Sequence, residues 1–196
     1  MLTRRHLATL AASVALVTAC SEGVHLVGRA SDGPIEAPDF HGTIVRGQSG
    51  ERFTDGFEVL RVAGDKPAII TSVRSVGADS TLKLLGAKIA GPDRKLGAWT
   101  YLPNWPPTKP ALGPLVDAEG AHLLPRSEID GKGYELLIGY ELGEISEMST
   151  RTRVEVDYTV DGKDYVFRSP AALTFCPDNN SDDECLDAAE KAGGVS

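Results

Sequence analysis

Apolar residues recur along most of this chain with a period of two. Between Arg151 and Val160, the residues Val154, Val156, Tyr158 and Val160 point one way, and Arg153, Glu155, Asp157 and Thr159 the other. Tyr134 to Leu142 behaves alike, with Leu136, Ile138, Tyr140 and Leu142 on one face and Glu135 and Glu141 on the opposite one. Such alternation marks a strand with one buried and one wet face. Phe57–Val62, Ala68–Val76, Thr81–Ala90, Ala98–Leu102, Lys163–Arg168 and Ala171–Cys176 extend the series. Asp161-Gly162 separates two of these runs by two residues, the signal of a type I′ hairpin turn. Short strands at this spacing, with helical periodicity nearly absent, predict an all-β chain folded as an antiparallel, immunoglobulin-like β-sandwich. The expectation rests on strand count, because the antibody-type pattern of cysteines and tryptophan is missing.

Two segments interrupt the rhythm. Residues 103–125 hold six of the twelve prolines, namely Pro103, Pro106, Pro107, Pro110, Pro114 and Pro125. Proline cannot donate to a sheet ladder, so a long proline-rich loop is expected there. After Cys176 the chain turns acidic. Ser181-Asp182-Asp183-Glu184 fits a capping box, and Leu186 to Ala192 predicts a short C-terminal helix stopped by Gly193.

The first twenty residues follow neither period. Arg4 and Arg5 precede an apolar run from Leu7 to Val17, too short to span a bilayer and of the length of an export signal. Val17-Thr18-Ala19-Cys20 resembles the bacterial lipobox. That resemblance implies a lipoprotein signal peptide over 1–19, lipidation of Cys20, and a mature chain held by lipid to the extracytoplasmic face of the cell membrane. Thr3-Arg4-Arg5-His6-Leu7 also faintly resembles a twin-arginine export signal. Residues 20–42 carry Gly23, Gly28, Gly33, Pro34 and Pro38 without periodicity and read as the lipidated cysteine and a flexible tether. The sandwich is then expected over 43–176, and a tail with a short helix over 177–196.

Charge and cysteine count narrow the classes. The 196 residues include 41% hydrophobic and 24% charged, ordinary values for one globular core. Removing residues 1–19 takes away Arg4 and Arg5 and leaves 18 basic against 28 acidic residues, a formal charge of −10. An acidic surface argues against nucleic acid as a partner. With Cys20 committed to lipid, Cys176 and Cys185 remain as a pair in a compartment where disulfides persist, and a structural bridge is expected. Their spacing is not that of a redox-active C-x-x-C motif.

Candidate chemistry is sparse. Asp178, Asn180 and Asp182 occupy positions one, three and five of an EF-hand-like calcium loop, and hard cations favour such oxygen ligands. Asp183 stands where the loop needs glycine, and Ala189 where a bidentate glutamate belongs, so the competing reading is a solvated loop that caps the helix. Trp105, with Pro106 and Pro107, is a candidate partner-binding anchor if it is exposed on a stiff loop. The alternative folds the indole back over a sheet edge or the core, and Trp99 reads as core. His25, His41 and His122 lack metal-ligand spacing. No motif of nucleophilic, phosphate-binding or metalloprotease chemistry is present.

In layout — lipobox, polar tether, one sandwich — the chain is similar to small immunoglobulin-like lipoproteins of Gram-positive envelopes. The likeness implies no functional residue. The function expected is that of a non-catalytic envelope lipoprotein, not an enzyme, that needs no cofactor and binds a protein or envelope component. The alternative is an extracytoplasmic solute or metal-ion binding protein, with calcium the ion to consider.

Overall fold

The computed structural model describes residues 32–36, 42–95, 99–144 and 147–192. Cys20, His25, His41 and the export segment lie outside them, as does the side chain of Trp99. Among the described residues the strands are β1 (Gly42–Val45), β2 (Arg52–Leu60), β3 (Ala68–Val76), β4 (Leu82–Ala90), β5 (Trp99–Pro103), β6 (Leu115–Asp117), β7 (His122–Leu123), β8 (Tyr134–Leu142), β9 (Ser149–Arg151), β10 (Arg153–Val160), β11 (Lys163–Ser169) and β12 (Ala172–Phe175). One helix, α1, spans Asp182–Ala192.

The strands form a five-stranded sheet in the order β5-β2-β8-β4-β6, a four-stranded sheet β11-β10-β3-β7, and a small sheet β1-β12-β9. Pairing in the two larger sheets is antiparallel, whereas β1 runs parallel to β12. The orders β5-β2-β8-β4 and β3-β10-β11 match the A-B-E-D and C-F-G sheets of an immunoglobulin domain, with β5 in the place of strand A although it follows β4 in the chain. The all-β sandwich expected from the alternation is the observed fold. Its inner faces meet in one apolar core that includes Phe53, Leu60, Ile70, Leu136, Ile138, Val154, Val156 and Phe167. The hairpin between β10 and β11 turns on Asp161 and Gly162, with φ of 51° and 74°. Both values are positive, as a type I′ turn requires.

Four local differences have physical causes. The run expected from Phe57 begins earlier, at Arg52, because polar residues within it are buried. The run from Arg151 to Val160 is two strands, since Thr152 passes the chain from the small sheet to the four-stranded one and donates its N–H to the carbonyl of Val76 at 2.8 Å. Residues 103–125 are not one loop. They contain a 3-10 turn at Pro110–Leu112, β6 and β7. Finally, residues 32–36, expected within the tether, belong to the fold. Ile35 is buried, bridges Val62, and donates its N–H to the Tyr158 hydroxyl at 3.2 Å.

The C-terminal segment is locked at several points. Cys176 and Cys185 form the expected disulfide, with 5.9 Å between their Cα atoms. The capping box is reciprocal: Glu184 accepts from the N–H of Ser181 at 2.8 Å, and the N–H of Glu184 donates to Ser181 Oγ at 3.3 Å. The bonds its carboxylate accepts, first from the Ser181 N–H and then from the Ser181 hydroxyl, hold the Glu184 carboxyl below its ordinary value. Cys185 and Ala189 turn inward from α1.

Candidate functional site

The core holds a group of charges. Regular alternation would place Asp55 and Glu58, three positions apart, on opposite faces of β2. A β-bulge between them shifts the register, so that Asp55 pairs with Ile138 and Glu58 with Leu136, both core-facing residues of β8. Bulges of this kind re-aim side chains and concentrate near functional sites. Here the result is two carboxylates directed into the sandwich, both nearly inaccessible.

Arg151 meets them from β9. It is the largest fully buried side chain among the described residues. Its Nη1 donates to Asp55 Oδ2 at 2.5 Å and to the Tyr140 hydroxyl at 3.1 Å, and its Nη2 donates to the carbonyl of Ala171 at 3.1 Å. Tyr140, on β8, also shares a 2.9 Å bond with Ser75 Oγ of β3. The guanidinium lies 5.8 Å from the centre of the Tyr140 ring. Ser169 Oγ, on β11, donates to Glu58 Oε2 at 2.5 Å. Five strands of all three sheets thus contribute to one polar cluster. Two of its buried atoms, Glu58 Oε1 and Arg151 Nε, have no hydrogen-bond partner.

Electrostatics follow from burial. Desolvation pushes the Glu58 carboxyl up to about 7, against the opposing pull of Arg151 and the Ser169 hydrogen bond. Burial likewise raises the Tyr140 phenol, which keeps it a neutral donor and acceptor. Nothing in the sequence singles these residues out, since Arg151 falls in phase with the wet Arg153 and Glu155, and Glu58 in phase with the apolar Leu60 and Val62. The available signal was Gly56, a glycine inside a strand-like run and a mark of a bulge.

The residues singled out from sequence lie elsewhere. Trp105 is half-buried on the outer face of the five-stranded sheet, packed with Ala90, Leu102, Leu112, Leu137 and Leu115. Its indole lies on the backbone of β8, where a Cβ at Gly139 would collide with ring atoms Cδ2, Cε2 and Cε3. The turn that delivers it is fixed by Asn104, with φ of 72°, whose N–H reaches the Arg52 carbonyl at 2.9 Å and whose carbonyl accepts from Thr54 Oγ1 at 2.7 Å. The Trp105–Pro106 peptide is cis. Pro106 is exposed and Pro107 buried. This cover makes the outer face drier than alternation implies. Glu135, expected in water, is fully buried and takes a 2.7 Å bond from Arg94 Nε.

The loop carrying Asp178, Asn180 and Asp182 is organised by an arginine. Arg46 donates from Nη1 to the Pro177 carbonyl at 2.8 Å, and from Nη2 to the Asn180 carbonyl at 2.9 Å and Asp182 Oδ1 at 2.7 Å. Its guanidinium takes Asp182 Oδ1, one of the side-chain oxygens that a bound cation would use. Asp178 is exposed, and no group of three or more His, Cys, Asp or Glu with metal-binding geometry occurs among the described residues. Compared with known proteins, the chain matches no family model and no curated sequence.

Proposed function

We propose that the chain is a lipid-anchored, extracytoplasmic binding module of a bacterial envelope, without catalytic activity, that docks a protein or envelope component through residues 103–117. The observation supporting this reading is the proline-stiffened cover on the five-stranded sheet. Pro103, Pro106, Pro110 and Pro114 are exposed, and Val116 is 53% exposed. Pro103 and Pro106 are held on a backbone pinned by Trp105 and Asn104, and Val116 by the pairing of β6 with β4. A surface already fixed in one conformation loses little entropy on binding. With the fold reaching back to Asp32, the eleven residues 21–31 separate it from Cys20, a reach of at most roughly 40 Å.

The anchor and the surface are tested separately. Cys20→Ser abolishes incorporation of a fatty-acid label and releases the chain from membranes; a retained label refutes the anchor. For the surface, a photo-crosslinker at position 106 or 116 captures a discrete partner in cells, while one at the exposed Lys66 turn does not. Equal capture at all three positions would exclude the surface. So would capture at position 116 that survives Pro106→Asp.

A further inference from the structure

The charged cluster between the sheets does not balance if every member is ionised. One guanidinium, Arg151, faces two carboxylates, Asp55 and Glu58, and all three are closed off from water. With both acids ionised, the core would carry one uncompensated negative charge, and an unpaired buried charge costs several kcal/mol. Arg151 is committed by its shortest contact to Asp55, while Glu58 is reached directly by the neutral hydroxyl of Ser169. The excess charge therefore falls on Glu58, whose Oε1 has no partner.

We propose that this cluster is a proton-operated latch: the folded chain keeps one proton on Glu58, and losing it weakens the seam that joins the β2 bulge to β9 and β11. The groups facing Glu58 are Arg151 from β9, Asp55 from its own strand, Ser169 from β11 and the apolar Leu136 from β8. Tyr140 completes the set through its bond to Arg151. Arg151 is the only cation in this set, so a proton is the simplest species that restores neutrality. The carboxyl's upward displacement agrees with the charge count.

An acid whose folded value lies above its unfolded value of 4.5 binds more protons when folded across the interval between them. Its stabilising contribution is complete below about 4.5 and is lost as pH rises toward about 7 and just beyond. The exposed or lightly buried acids Asp79, Glu141, Glu155 and Glu184 are shifted downward, so they act in the opposite direction and below pH 4.5. The two contributions occupy different windows.

The experiment is a carbon-detected NMR titration of the side-chain carboxyls of the full-length chain, with Glu58 assigned by its absence in Glu58→Gln. The expected result is a carboxyl that titrates near neutrality, two units or more above an ordinary glutamate. In parallel, the urea midpoint of the native chain falls between pH 5 and pH 8, and that of Glu58→Gln stays level. A Glu58 carboxyl that titrates below about 5 overturns the latch, as does a midpoint that requires added sodium or potassium at neutral pH. If Glu58→Gln does not fold, sequential assignment of the native chain still decides the outcome.

Discussion

Tyr140 and Gly139 are neighbours on β8, and their two sides of the sheet reverse the usual arrangement. On the inner side, Tyr140 meets the buried Arg151, which is itself paired with the buried Asp55. On the outer side, Gly139 carries a tryptophan and an apolar cluster. The interior is polar where an apolar core is expected, and the exterior is apolar where water is expected. Each departure has its own device, a bulge that re-aims Glu58 and a glycine that lets an indole lie on the backbone. The middle of β8 is fitted from both sides. Changes there have effects that depend on which side they reach.

The largest effect is expected on the inner side. Arg151→Met removes the single cation and leaves two acids in the core, a change that costs about 3–5 kcal/mol. Urea unfolding at pH 7 measures it. Because the remaining acids can be neutralised, the loss shrinks as pH is lowered toward 5, even though surface acids elsewhere change little in that range. A loss that is independent of pH would mean that Arg151 acts by packing alone.

The disulfide stands outside both sides of β8 and serves as a control. Replacing Cys176 and Cys185 together by serine frees a nine-residue separation and lowers stability by about 2–4 kcal/mol, chiefly by enlarging the unfolded ensemble. Because that effect is global, the native Trp105 fluorescence and the Glu58 titration stay unchanged. A shift in either would show that the C-terminal lock positions the middle of β8.

The outer side is tested by Gly139→Ala. The added methyl occupies the place of the indole, so Trp105 must lift. The expected loss is about 1–3 kcal/mol, typical of overpacking, together with a red-shifted tryptophan emission that Trp105→Phe removes. Glu58 should titrate as before, since its face of β8 is untouched. Coupling between the two would show that β8 transmits displacement from one side to the other.

Much of this fold was legible from alternation. β8 occupies the span its alternation predicted and β3 the span its β-branched residues predicted, and Asp161-Gly162 turned as its chemistry demands. The cluster was not legible, for a reason that is itself physical. Alternation is a local rule, whereas the bulge after Asp55 and the change of sheet at Thr152 each shift the phase of one strand. The change of sheet takes Arg151 off the wet face it would share with Arg153 and Glu155, and the bulge puts Asp55 and Glu58 on one face. The position of Trp105 depended on Gly139, thirty-four residues away, and no local pattern links them. The cysteine pair was legible because, with Cys20 set aside by its likeness to a lipobox, only two cysteines remained.

The smallest expected effect concerns Arg46. Its guanidinium ties β1's exit to the Pro177–Asp182 loop through two carbonyls and one exposed carboxylate. The ion pair with Asp182 is largely in water and contributes little, while the two carbonyl bonds organise the loop before α1. Arg46→Ala should cost about 1 kcal/mol, and Arg46→Lys nearly as much, because a lysine cannot hold the forked geometry. Hydrogen exchange measures the consequence, with faster exchange at Asn180 and Cys185 and no change at β8. Arg46→Ala also vacates the oxygens of Asn180 and Asp182. If calcium then protects the loop in the variant but not in the native chain, the arginine occupies what would otherwise be a cation site. If calcium protects neither, the arrangement of Asp178, Asn180 and Asp182 is a helix cap and nothing more.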